Sequence, residues 1–104
     1  MRLTYTTALV LAALADGHRY GFRIADVTRL RVGTVYPILR RLEEEGHVGS
    51  SWEGEASAQA KGRAARRNYR LTASGRKLAA AAVERYPGLI AQLRGSAVPR
   101  TVRP

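Results

Sequence analysis

Residues 32–44 read Val32-Gly33-Thr34-Val35-Tyr36-Pro37-Ile38-Leu39-Arg40-Arg41-Leu42-Glu43-Glu44. Val32, Val35, Tyr36, Leu39 and Leu42 recur at i, i+3, i+4, i+7 and i+10, the spacing that lines up one face of an α-helix. The opposite side carries Gly33, Thr34, Pro37, Arg40, Arg41 and Glu44. Gly46 supplies a stop that tolerates the left-handed conformation. Pro37 opposes this reading, since an interior proline costs a free helix about 3 kcal/mol. It lies in the first two turns, where few hydrogen bonds exist to lose. A helix with a local distortion at Pro37 is therefore expected.

Two shorter helices precede it. Thr4 is an N-cap for a first helix ending near Ala15, and Gly17 stops it. Ala8 to Ala15 is apolar throughout, so this helix is expected to meet the core on one side and a partner on another. The run is too short to span a bilayer. A secretory signal is not expected either, because Asp16-Gly17-His18-Arg19 stands where a cleavage site should be. Tyr20, Ile24 and Val27 mark one face of a second helix ending near Thr28.

Downstream, residues 47–53 read as a strand with Val48 and Trp52 on one face. Its partner is residues 67–71, with Tyr69 and Leu71 inward. Gly54 to Arg66 lacks apolar periodicity and reads as a mobile loop. Thr72 caps a last helix that Pro87-Gly88 breaks or kinks, and Gly95 onward reads as a disordered tail. The fold class is thus mainly α with a small β-hairpin. Its order, helix, helix, helix, strand, loop, strand, helix, is that of a winged helix-turn-helix.

Eighteen Lys and Arg face eight Asp and Glu, a formal charge of +10 that favours a polyanionic partner. The distribution sharpens this. Arg29, Arg31, Arg40 and Arg41 fall in one acid-free stretch. Lys61, Arg63, Arg66, Arg67 and Arg70 fall in another. Glu43-Glu44-Glu45 closes the third helix and would repel DNA, so the N-terminal part of that helix is expected to enter the major groove. On that geometry Gly33 permits close approach to the backbone, and Thr34 meets a phosphate or a thymine methyl. Pro37 lies over base edges. Arg41 reads guanine through two hydrogen bonds, and Arg40 holds phosphate. Tyr36 sits at the edge of the apolar stripe, its ring in the core or its hydroxyl on a phosphate. Arg29 and Arg31 in the turn, with Lys61 and Arg67 in the wing, add phosphate contacts. Arg63 and Arg66 are expected to enter a minor groove. Trp52 on its strand reads as core packing rather than the wall of an effector pocket.

The inventory argues against catalysis. There is no Cys, and His18 and His47 lack metal-ligand spacing. No nucleophile elbow or phosphate-binding glycine loop is present. Consecutive glutamates fan around a helix and do not converge. No cofactor or metal is expected. An RNA-binding or ribosome-associated protein would share the charge, but it has no need of the apolar recognition stripe or of the strand-loop-strand order. A protein-interaction module of this fold would not need arginine clustered in two DNA-facing segments.

The run Gly33 to Glu43, GTVYPILRRLE, resembles the signature of PadR-family repressors. Leu9 to Leu14 and Tyr20-Gly21-Phe22-Arg23-Ile24 resemble that family's first helix and the element after it. Gly62 to Thr72 resembles its wing, and Ala73-Ser74-Gly75-Arg76 the start of its last helix. The resemblance covers about residues 3 to 83. It implies a cytoplasmic transcriptional repressor that binds a near-palindromic DNA operator as a homodimer, often with relief by a small-molecule effector. It also implies that the last helix packs on the partner's first. The domains would be a DNA-binding unit at 1–72, a dimerisation helix at 73–94 kinked at Pro87, and a tail at 95–104. The sequence departs from the family in the turn Arg29-Leu30-Arg31, which lacks the usual cap, and in Ala64-Ala65 of the wing, where proline is common. The loop before the wing is long, and Pro87 interrupts the presumed dimer helix.

Overall fold

The apolar first helix organises the molecule. The structure is a computed structural model that describes residues 2–97. Helix α1 (Tyr5–Ala15) is capped by Thr4, whose hydroxyl accepts from the Thr7 amide at 3.2 Å. Every residue from Thr7 to Leu14 is buried, so no face of that stretch is left for water. Helices α2 (Gly21–Thr28) and α3 (Val32–Glu44) pack against it through Ile24, Val27, Val35, Leu39 and Leu42. Each fully buried Leu, Ile or Val stabilises by about 1.5–3 kcal/mol.

Strands β1 (Val48–Trp52) and β2 (Arg67–Leu71) form an antiparallel hairpin with Val48 opposite Leu71 and Trp52 opposite Arg67. The other edge of β2 is partly occupied, since the Tyr69 amide donates to the Arg19 carbonyl at 2.8 Å and Tyr20 bridges Asn68. A short helix, α4 (Glu55–Ala60), lies between the strands. Helices α5 (Ala73–Arg85) and α6 (Leu89–Ala97) complete the chain.

The winged helix-turn-helix order therefore stands, with corrections. The expected mobile loop at 54–66 contains α4. It escapes a periodicity argument because Ala58 is its one buried residue. Gly62 at φ +69° ends it, with the Arg63 amide donating to the Ala58 carbonyl at 3.1 Å. Trp52 is not core: it is 66% exposed, because the hairpin runs beyond the cover that buries Val48 and Tyr69. Pro37 sits inside an unbroken α3 and faces solvent.

At the C-terminus, Pro87-Gly88 separates two helices instead of bending one. Helix α6 turns back and lays Leu89 and Leu93 against α1 and α2. The Tyr86 hydroxyl donates to the Leu3 carbonyl at 3.0 Å, and its ring meets Tyr5 edge-on at 5.3 Å. Helix α1 is thus covered by its own chain, on the side where a partner was expected. Helix α6 also runs past Gly95, where the sequence predicts a tail. The rest of that tail, 98–104, lies outside the described residues.

Two backbone positions are tightly specified. Gly75, in the first turn of α5, faces the His47 carbonyl so closely that a Cβ would overlap its oxygen. Nothing lies near a Cβ at Gly88. Gly75→Ala should therefore cost roughly 2–3 kcal/mol in urea unfolding, and Gly88→Ala under about 1 kcal/mol. Equal losses would contradict this packing. Arg29, the C-cap of α2, is held left-handed at φ 62°, a conformation that costs a side-chain-bearing residue about 1–2 kcal/mol. Arg29→Gly should raise stability by about 0.5–1 kcal/mol in the same assay, and a loss would show that the strain is absent.

Candidate nucleic-acid interface

Helix α3 divides sharply between its two sides. Val35, Leu39 and Leu42 are buried, whereas Gly33, Thr34, Pro37, Arg40 and Arg41 are exposed. Helical spacing puts Gly33, Pro37, Arg40 and Arg41 on one outward face. Arg29 and Arg31 precede the helix and are also exposed. Arg31 is its N-cap and makes no side-chain capping bond, as the turn sequence predicts. None of the ion pairs found among the described residues engages Arg29, Arg31, Arg40 or Arg41. Their charge is unmatched and faces solvent.

Tyr36 is at the border. Its ring lies over Gly21, where a Cβ would collide with it, and it meets Phe22 edge-on at 6.2 Å. Glycine at position 21 thus lets α2 and α3 close around an aromatic ring.

The wing cations have a different setting. Glu53, which follows β1, accepts two hydrogen bonds from the Arg63 guanidinium, and Lys61 stands 3.5 Å away. The Arg66 amide also points at this carboxylate. Arg63 beside it outweighs partial desolvation and holds the Glu53 carboxyl at about 2, against an ordinary 4.5. The same pairing pushes Arg63 up. Arg67 donates to Ser50 at 2.9 Å and to Glu43 at 3.3 Å, and Ser50 donates to the same carboxylate. Glu43 therefore ties the end of α3 to both strands. Arg66 lies flat on Tyr20, 3.7 Å from the ring centroid.

Of the twelve residues singled out from sequence, those of α3 and its turn share an open surface. Lys61, Arg63 and Arg67 are instead drawn into ion pairs that shape the wing. Glu43, Ser50, Glu53, Tyr20 and Phe22 were missed as architectural partners. Glu53 carried no distinct signal, since Glu55 stands nearer the basic segment in the chain. No group of three or more potential metal ligands occurs among the described residues, and no described helix is long and apolar enough to cross a membrane.

A profile of the PadR-like transcriptional regulator family matches residues 10–81. This chain belongs to that family. Among solved structures, this PadR-like protein is similar to a PadR family transcription regulator from hypervirulent Clostridium difficile. That pair has a TM-score of 0.68 and 24% identity, covering 88% of this chain and 97% of the other. A transcriptional regulator from Clostridium thermocellum gives 0.65 and 24%, over 91% of each chain. A PadR family regulator from Eggerthella lenta gives 0.59 and 23%, over 92% and 86%. No curated protein matches the sequence. Membership makes this PadR-like protein a transcriptional regulator and not an enzyme.

The depressed Glu53 carboxyl sets a pH window. The ionised form is favoured in the folded wing, so its stabilising effect is complete above pH 4.5 and fades as pH falls towards about 2. Amide protection at residues 63–67, measured against the unfolded chain's exchange at the same pH, should fall over that interval, ahead of protection in α1. Glu53→Gln should show the reduced protection already at pH 7. Wing protection that is flat across the window would contradict the assignment.

Proposed function

We propose that this protein is a sequence-specific DNA-binding repressor that acts in the cytoplasm, gripping a near-palindromic operator as a homodimer. One observation carries the reading: the outward face of α3 holds Arg40 and Arg41 outside every ion pair found, while the opposite face is locked into the core. A rigid helix with unmatched guanidinium groups suits the major groove of a duplex. Arg41 is assigned to guanine and Arg40 to phosphate. Arg29, Arg31 and the Thr34 hydroxyl add backbone contacts, and Gly33 and Pro37 keep the approach close. Arg66 and Arg70 are the cations of the wing stretch outside every ion pair found. Lys61, Arg63 and Arg67 contribute field more than direct contact, because their charges are shared with Glu53 and Glu43. Repression follows if the bound dimer covers a promoter.

Dimerisation through α1 alone is hard to reconcile with its cover by α5 and α6. A better surface is the open trough beside the end of α1, where Leu14, Ala15, Ala79, Ala80 and Val83 line about 560 Å³. A second copy laid along α5 would fill it and keep both N- and C-terminal helices in the interface.

Selection of duplexes from a random pool, with oligomeric mass measured alongside, tests this. Half-sites about 10 bp apart, or a multiple of that, should emerge on a dimer. If ~8 phosphates are neutralised, log K should fall against log salt with a slope near −7. Arg41→Ala should relax one base position by about 1–3 kcal/mol of discrimination, and Arg40→Ala should weaken all sequences evenly. A monomer on an asymmetric site, or tighter binding to structured RNA, would overturn the proposal.

A further inference from the structure

Aromatic rings from three elements meet in a cleft between the start of α2, α3 and the inner face of the hairpin. Tyr20, Phe22, Tyr36 and Trp52 line it with Arg66 and Arg67, around a space of about 480 Å³. Trp52 shares a strand face with Val48, and Arg67 stands opposite it in the register. The face that covers the core at Val48 therefore looks into the cleft at Trp52. Two of the rings serve the fold: Tyr20 carries the Arg66 guanidinium, and Tyr36 closes over Gly21. The other two lie mostly in water, Phe22 71% exposed and Trp52 66%. Apolar surface gathered in this way marks a contact surface.

The position of the cleft says what crosses it. Neighbouring major and minor grooves of a duplex are separated by one sugar-phosphate strand. A protein with α3 in the major groove and its wing in the next minor groove passes that strand between the two. The cleft is the space between α3 and the wing, and its charges suit such an occupant. Arginines line it and no carboxylate does. Arg66 is outside every ion pair found. Its Nε is enclosed, so it acts here through its charge on a passing phosphate. The rings supply what charge does not, since the sugar of a nucleotide has an apolar face that an aromatic ring covers.

We propose that this cleft seats the strand between the two grooves, with Trp52 and Phe22 packed on the deoxyribose rings of neighbouring nucleotides. This seat rests on the DNA reading above and adds a check of the sugar to the reading of bases by α3. A ribose would bring a 2′-hydroxyl under the ring. That hydroxyl loses its water there and gains no acceptor, so the covered position selects deoxyribose.

The chain has one Trp, so its emission reports on Trp52 alone. A saturating amount of a selected duplex should cut the quenching of that emission by acrylamide several-fold. Trp52→Ala should weaken every selected duplex by about tenfold without altering base preference. Phe22→Leu changes only an exposed side chain and should weaken binding several-fold, with circular dichroism unchanged. The decisive arm replaces deoxyribose by ribose one nucleotide at a time along each strand. Affinity should fall by about fivefold at one or two adjacent nucleotides. In Trp52→Ala the same replacements should cost less than about twofold. A merely structural role for Trp52, or a change of sugar pucker, would leave that loss in place.

Duplex binding with acrylamide access unchanged would overturn the seat and leave the DNA reading standing. So would a ribose scan without a sensitive position, or a loss undiminished in Trp52→Ala. The acrylamide arm uses the unaltered chain, so it decides the matter even if a variant misfolds. Failure to bind any duplex would sink the DNA reading and the seat together.

Discussion

Helix α1 has a stretch with no side fit for water, and the rest of the chain is arranged around covering it. From Thr7 to Leu14 every residue is buried. Helices α2 and α3 take one side, and α5 with α6 takes the other. Pro87-Gly88 is what allows this, since one straight helix from 73 to 97 could not also lay Leu89 and Leu93 back onto α1. Once α1 is enclosed, the outer face of α3 and the wing remain on the surface. Apolar demand thus decides where the arginines end up.

Those arginines fall into two populations. On α3 and its preceding turn they are exposed and unmatched. In the wing they are mostly engaged. Arg63 and Lys61 converge on Glu53, and Arg67 bridges to Glu43 with Ser50 between them. Partly sheltered pairs with good geometry set the hairpin's shape more than they add stability. Arg66 stands apart, stacked on the Tyr20 ring. A surface that leaves some cations free and fastens others carries its charge in a fixed arrangement, which favours recognition over loose attraction to any polyanion.

Much of this was legible in the sequence. The stripe Val35, Leu39, Leu42 gave α3 because its period is set by the core it meets. Thr4 and Thr72 marked helix starts because a hydroxyl there satisfies an amide, as both do here. The failures have physical reasons too. Helix α4 buries only Ala58, so it leaves no period to read. Trp52 shares a strand face with Val48, but alternation does not say where the core stops. The wing cations were assigned by charge alone, and charge counting cannot see that Glu53 lies within reach of Arg63 across the hairpin. The left-handed Arg29 was equally invisible, since arginine is not a residue that announces positive φ.

The central claim is that one face of the molecule, made by α3 and the adjoining wing, meets double-stranded DNA. Mapping amide chemical shifts on addition of a selected duplex tests it most directly. The account requires residues 29–41 and 63–67 to shift together, while amides in the middle of α1 and in α6 stay in place. Perturbations gathered on α5 and α6, or spread evenly over the surface, would contradict it.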